Sequence, residues 1–164
     1  PCTAVVDGNE VTVRQALGHY YQPIEEGKAD STGLYNIRYL REHGIDNEAL
    51  EAHYAGFLSE ALRSIRFGPA SAYGVIRSAA WNYFVEQGAL TLDANSGKFS
   101  VDVDKMSNAV ESLMVKLITI EGEADTVAAQ EFLDKYSYVS PELQVLLDVA
   151  NQTVPVEFVP MYGD

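Results

Sequence analysis

Apolar residues recur at spacings of three and four along most of this chain, and that periodicity is the strongest constraint on its fold. The clearest run ends at Ile65 and begins after Asp46 or Asn47, either of which can cap a helix. Glycines and the pair Gly68-Pro69 interrupt the pattern, because neither glycine nor proline favours a helix interior. The spacing predicts six helices, with expected ranges of Pro23 to about His43, Asp46 or Asn47 to Ile65, Pro69 to a stop at Gly88, Asp104 to Gly122, Asp125 to Tyr136 and Ser140 to about Asn151.

Two short segments alternate apolar and polar residues around turn-forming sequences, which is typical of β-hairpins. The first spans residues 3–13 around Asp7-Gly8-Asn9, and the second spans residues 89–103 around Asn95-Ser96-Gly97. The segment from Val154 to Val159 is expected to be extended, at a sheet edge or outside any sheet, because prolines flank it. The sequence therefore predicts a mostly α fold, with residues 1–164 forming one helical domain with two small hairpins.

The amino-acid composition argues against two classes of binding partner, nucleic acids and membranes. The chain has 164 residues, 47% of them apolar and 21% charged, with a net charge of -13, which is typical of an acidic globular domain. Such a charge repels phosphate backbones, so no nucleic acid is expected as a partner. No apolar run approaches the roughly 20 residues of a membrane-spanning helix, so no membrane partner is expected. The lone Cys2 cannot form an internal disulfide and leaves the compartment open; the cytoplasm is favoured over the periplasm.

The acidic stretch from Glu25 to Asp30 is the segment whose side chains are the best candidates for a functional site. On a helix, Glu26 and Asp30 lie four residues apart on one face, whereas Glu25 points about 100° away. Acidic residues near a helix start also complement the helix dipole, and that interpretation needs no ligand. The alternative is that Glu26 is a metal carboxylate supported by a second acid one turn later. Residue types and spacing alone leave both interpretations open.

Four blocks of this sequence resemble the dipeptidyl-peptidase III family in its bacterial form. The most specific is Pro23-Ile24-Glu25-Glu26-Gly27-Lys28-Ala29-Asp30, which is similar to the family's Glu-Glu-Cys-Arg-Ala-Glu/Asp segment. The family consists of zinc metallopeptidases that carry a His-Glu-x-x-x-His helix, sometimes His-Glu-x-x-His, upstream of that segment. The other blocks are Ser64 to Gly74, Asp102 to Met106 and Val154-Pro155-Val156.

The resemblance implies roles for the acidic residues. Glu26 falls on the family's third zinc ligand, and Glu25 and Asp30 fall on acids that support the metal and its histidines. Gly27 and Lys28 replace the usual Cys and Arg, neither of which ligates zinc.

The resemblance also points to three further residues. Tyr73 stands where the family commonly has a histidine that helps to stabilise the tetrahedral intermediate, and a phenol can donate a hydrogen bond to an oxyanion in the same way. Arg66 and Arg77 are candidates to bind a substrate carboxylate or to pair with Glu25 and Asp30. Ordinary surface ion pairs are the alternative for both arginines.

The expected function is therefore that of the C-terminal part of a zinc-dependent metallohydrolase that cleaves short peptides. The upstream histidines and general-base Glu are absent from this sequence, so the isolated chain is expected to be inactive and not to hold the zinc cofactor. Its expected partners are a small peptide and the N-terminal part of the same protein, and an exposed apolar surface is expected to favour a homodimer. One alternative is a non-catalytic helical module that binds proteins, and another is an acidic helical protein of unrelated function.

Overall fold

A computed structural model of the protein describes residues 3–68, 71–93 and 95–154, with the side chain of Thr153 left aside. Two strands, a short helix and a 3₁₀ turn over Gly18–Tyr20 precede the long helices. The elements in chain order are β1 (Thr3–Val6), β2 (Asn9–Thr12), α1 (Val13–Leu17), α2 (Tyr21–Glu42), α3 (Leu50–Ile65), α4 (Ala72–Glu86), β3 (Leu90–Asp93), β4 (Lys98–Val101), α5 (Val103–Gly122), α6 (Thr126–Tyr136) and α7 (Pro141–Thr153).

The predicted mostly α fold is confirmed: six long helices accompany two hairpins, each a two-stranded antiparallel sheet. Thr3 pairs with Thr12 in the first sheet, and Leu90 pairs with Val101 in the second. None of the helices in the described part of the chain is both long and apolar enough to cross a membrane. The predictions for Cys2, for Pro69 and for the segment after Val154 lie outside the described residues.

Helix α4 is the centre of the domain. Its residues from Ile76 to Phe84 are all buried, because α2, α3, α5, α6 and β3 pack around it. Trp81 and Phe84 are both 1% exposed and supply much of the core volume. The side chain of Asn82 is also buried, and it donates to the carbonyl oxygens of Tyr136 and Tyr138 after α6. The helix that carries Tyr73 and Arg77 is therefore supported by neighbouring elements on several sides.

The start of α3 differs from the predicted one because its predicted caps make other contacts. The α3 helix begins at Leu50 with Ala49 as its N-cap, whereas the predicted caps were Asp46 and Asn47. Asp46 accepts instead from the backbone N–H of Glu48 at 2.9 Å and lies 2.7 Å from His53 Nε2. These contacts stabilise the loop before the helix and leave its first turn without a side-chain cap.

The other ends follow their caps closely. Helix α4 begins at Ala72 rather than at residue 69, because the Ser71 hydroxyl accepts from the N–H of Gly74. Asp102 caps α5, so that helix begins one residue before the predicted Asp104. Ser140 caps α7 with Pro141 in its first turn, as the sequence predicts.

Candidate functional site

The first turn of α4 brings Tyr73 beside Glu26 of α2. A hydrogen bond to the Glu26 carboxylate, followed by that group's negative charge, raises the pKa of the Tyr73 phenol. The phenol therefore keeps its proton at neutral pH and donates a hydrogen bond to the Glu26 carboxylate. Glu26 is half-buried and Tyr73 is 42% exposed, so this pair faces solvent at the edge of the domain.

One turn further along α4, Arg77 holds the neighbouring acid in place. Its side chain is buried, and its Nε donates to Asp30 Oδ2 at 3.0 Å. Its Nη1 donates to Ser64 Oγ at 2.7 Å and to Glu60 Oε1 at 3.3 Å. Burial opposes the charge on Arg77, but the hydrogen bond to Asp30 and the charges of Asp30 and Glu60 outweigh it, so the pKa of Arg77 is raised. Arg77 thus links the acidic helix to α3.

Arg77 also lies against the ring of Tyr73. The guanidinium carbon is 5.1 Å from the centre of that ring, within the range of a cation–π contact. Glu26, Asp30, Tyr73 and Arg77 form one contiguous cluster between α2 and α4, which we call the Glu26 cluster. The helical spacing correctly places Glu26 and Asp30 together. Of the alternatives for Arg77, the structure shows the pair with Asp30.

Close helix packing beneath the Glu26 cluster depends on Gly27. A Cβ atom at this position would lie 2.4 Å from Ile76 Cγ1 and 3.0 Å from Leu117 Cδ1. Those distances are shorter than a van der Waals contact, so a larger residue at position 27 would require the side chains of Ile76 and Leu117 to move. The cavity left between these helices is about 10 Å³, which is barely the space of one water. A ligand of this cluster must therefore bind from its solvent side.

Glu25 lies outside the Glu26 cluster. Its carboxylate is 3.8 Å from Lys28 Nζ, and Lys28 lies 2.7 Å from Glu121 Oε2 on α5. Burial of Lys28 opposes its charge, but the bond to Glu121 and the two acids raise its pKa overall. Lys28 therefore connects α2 to α5 through ion pairs, on a different side of α2 from Glu26.

Arg66 also lies apart from the Glu26 cluster. It ends α3, where its Nε donates to Asn151 Oδ1 and its Nη2 to the carbonyl oxygen of Val154, both at 2.8 Å. Its hydrogen bonds in the described part of the chain go to neutral acceptors, and neither Glu25 nor Asp30 is among them. The two arginines that the sequence grouped together thus belong to different sites.

Sequence reasoning missed Glu60 and Ser64 as partners of Arg77. They lie four residues apart on α3, so they share one face of that helix. Their spacing was visible, but nothing in the sequence indicated that this face meets Arg77 of α4.

The described residues do not by themselves form a zinc site. Catalytic zinc takes three protein ligands, commonly imidazole nitrogens and carboxylate oxygens. In the described part of the chain, no group of three His, Cys, Asp or Glu side chains is placed to hold a metal ion. Glu26 offers one solvent-facing carboxylate, so a zinc ion here would need ligands from elsewhere.

Comparison with solved structures places this fold within larger proteins. The structure of dipeptidyl-peptidase III from Corallococcus sp. strain EGB matches 98% of this chain with a TM-score of 0.87 and 38% sequence identity. The structure of DPP III from Caldithrix abyssi matches 93% of it with a TM-score of 0.84 and 31% identity. The chain spans 30% and 29% of those proteins, respectively, and has the fold of their C-terminal part.

A curated relative carries a different name. Nudix hydrolase 3 of Arabidopsis thaliana is 36% identical over 165 residues, which cover 99% of this chain and 21% of that protein. Because the chain spans about a fifth of it, the name does not say which activity belongs to the matching part. No protein-family profile matches the chain.

Proposed function

We propose that this chain is the C-terminal part of a zinc-dependent peptidase resembling dipeptidyl-peptidase III, and that Glu26 supplies one zinc ligand. The observation that carries the proposal is the match of 98% of the chain to one such protein at 38% identity. At that identity a shared fold is accompanied by many shared side chains. The Glu26 cluster provides the local chemistry that the proposal needs.

Glu26 has the properties of a metal carboxylate. It is a half-buried acceptor, and the hydrogen bond from Tyr73 orients it without neutralising its charge. The ion pair between the buried Arg77 and the half-buried Asp30 fixes the next turn of α2, so the position of Glu26 is defined from both sides. Two further ligands would come from the part of the longer protein that this chain does not span.

Tyr73 is proposed as the residue that contacts the substrate. Its phenol is exposed, stays protonated at neutral pH and lies beside the carboxylate that would hold the metal. Its single O–H would turn from Glu26 to the substrate once that carboxylate holds the metal, and there it can stabilise the negative oxygen that develops when a peptide carbonyl is attacked. Arg77 lies against the face of the Tyr73 ring and holds it in place, so we propose that Arg77 positions Tyr73.

The test is the zinc content and activity of the full-length protein that carries this chain. Elemental analysis after dialysis is expected to give one zinc per chain. Peptidase activity is measured separately, by mass spectrometry of the dipeptides released from a short peptide. The Glu26→Gln variant is expected to lose both zinc and activity. Glu42→Gln is the matched control, because Glu42 lies on the same helix and its ion pair among the described residues is an exposed one with Arg38. This variant is expected to keep both.

A Tyr73→Phe variant separates catalysis from metal binding. We expect it to keep its zinc and to lose about 10²–10³ in kcat, the typical cost of removing one oxyanion donor. A full-length protein without zinc, or one in which Glu26→Gln keeps its zinc, would contradict the proposal. In that case the alternative of a non-catalytic helical module that binds proteins would gain support.

A further inference from the structure

A groove lies on the opposite side of α3 from the Glu26 cluster. It runs between α3, the β3–β4 hairpin and α7, and it has a volume of about 400 Å³, within the range of small-molecule sites. Its walls are mainly apolar, and they are formed by Leu62, Phe99, Leu146, Val149, Ala150 and Val154. We call it the Arg66 groove.

The Arg66 groove has a positive rim. Arg63, Arg66 and Lys98 line it, and no Asp or Glu is among the described residues that do so. This is unusual in a chain with 24 acids and 11 Lys or Arg residues. An apolar trough with a cationic rim complements a molecule that has an apolar body and an anionic head.

Arg66 is held in place by neutral groups. Its bonds to Asn151 Oδ1 and to the carbonyl oxygen of Val154 use two of the five N–H groups of a guanidinium. Neither acceptor carries a charge, so these two bonds orient the side chain without balancing its charge. A planar guanidinium fixed in this way is suited to bind a carboxylate through paired hydrogen bonds.

The groove is separate from the Glu26 cluster. Ser59, Leu62, Arg63 and Arg66 recur at the spacing of one helix face and line the groove, whereas Glu60 and Ser64 contact Arg77 on another face. Helix α3 therefore stands between the two sites, and a molecule in one does not touch the other.

We propose that the Arg66 groove binds a monocarboxylate with an apolar body, of the size of a medium-chain fatty acid. The apolar walls would cover the hydrocarbon chain, and Arg66 would bind the carboxylate, with Lys98 adding attraction at the rim. This site is independent of the proposed peptidase function.

The test compares three eight-carbon probes that differ only in their head group. Octanoate, octylamine and octanol are titrated into the ¹⁵N-labelled protein, and the backbone amide of Gly97, which lines the groove, reports binding. Octanoate is expected to bind saturably and about tenfold or more tightly than octanol, whereas octylamine is expected not to bind.

Two variants and one control assign the binding to this groove. Arg66→Gln is expected to weaken octanoate binding about tenfold. Lys98→Glu, at an exposed strand position opposite Asp93, is expected to weaken it severalfold, and the amide spectrum of the free variant shows whether the hairpin is still folded. Lys116→Glu makes the same change on the distant surface of α5 and is expected to have no effect.

Three results would overturn the inference. They are an absence of saturable octanoate binding, equal binding of octylamine, and octanoate binding that both groove variants leave unchanged.

Discussion

The two sides of helix α3 use arginine in opposite ways. On one side Arg77 is 8% exposed and contacts Asp30 and Glu60, beneath helices packed so closely that only about 10 Å³ remains between them. On the other side Arg66 contacts an amide and a carbonyl at the edge of a groove of about 400 Å³. One arginine has its charge balanced by carboxylates between closely packed helices, whereas the other, within the described residues, donates hydrogen bonds to neutral groups beside a groove.

The difference separates a structural cation from one available to a ligand. A buried guanidinium whose bonds go to carboxylates stabilises the packing of its helices, and its removal leaves charge without a partner. A half-exposed guanidinium held by neutral acceptors contributes little to folding and retains its attraction for an anion. Both types occur within one helical layer here, so exposure and the charge of the partners identify the role better than residue type does.

The largest effect expected is that of Arg77→Met. The substitution preserves apolar volume but leaves Asp30 beside a partly buried site without its cation, so the free energy of unfolding should fall by about 2–3 kcal/mol. Urea denaturation measures it. Arg38→Met is the control, because its pairs with Glu42 and Glu111 are more exposed, and a loss below about 1 kcal/mol is expected there. Equal losses of unfolding free energy in the two variants would show that Arg77 is no more important for folding than an exposed arginine.

A slightly smaller effect is expected from Gly27→Ala, which tests the tight packing on the Arg77 side. The new Cβ would overlap Ile76 Cγ1, and overpacking of this kind costs about 1–3 kcal/mol. Gly33→Ala is the matched control in the same helix, because a Cβ there has no neighbour within 4 Å. That variant should gain about 0.5–1 kcal/mol through helix propensity. Thermal unfolding of the two variants should therefore shift in opposite directions; shifts of the same sign would show that α2 is not packed as described.

A still smaller effect on folding is expected for Arg66→Gln. The lost hydrogen bonds lie at the surface and their acceptors can bind water, so a decrease of at most about 1 kcal/mol is expected. The same urea experiment, run beside Arg77→Met, gives the contrast directly. A loss as large as that of Arg77→Met would mean that Arg66 is a structural residue like Arg77.

The last prediction concerns the titration of Tyr73 and involves no change in packing. Because Glu26 raises the pKa of Tyr73, Glu26→Gln should lower it toward the ordinary value of about 10. Titration by ¹³C NMR of labelled tyrosines measures it, with Tyr73→Phe to assign the signal among the 10 tyrosines. A raised pKa stabilises the fold below the unfolded-state value and loses that contribution as pH rises through the folded-state value. An unchanged pKa in Glu26→Gln would show that the two side chains do not meet.

The sequence predicted the helices well because their periodicity and their glycine stops are local properties. Ser140-Pro141 marked the start of α7 correctly, and the spacing of Glu26 and Asp30 correctly put them on one face. The predicted start of α3 was wrong because Asp46 accepts from the backbone N–H of Glu48 and lies beside His53 in the loop, instead of capping the helix. A local sequence pattern cannot show which of two partners a side chain such as that of Asp46 will contact, because the fold of the loop decides which partner is near.

The candidate site was less predictable because it depends on contacts between helices. The sequence grouped Arg66 with Arg77, although they lie on opposite sides of α3 and have partners of different charge. From the sequence, Gly27 is a residue that destabilises a helix, whereas in the fold it allows α2 to lie close to Ile76. Such facts follow from how three helices pack together, and no single helix carries them in its own sequence.

The most direct test of the proposal that Glu26 is a zinc ligand is the position of the metal in a crystal of the full-length protein grown with zinc. Diffraction data collected at the zinc absorption edge should show an anomalous peak about 2.0–2.2 Å from a carboxylate oxygen of Glu26. A peak that no oxygen of Glu26 coordinates, or no peak at all, would contradict the account.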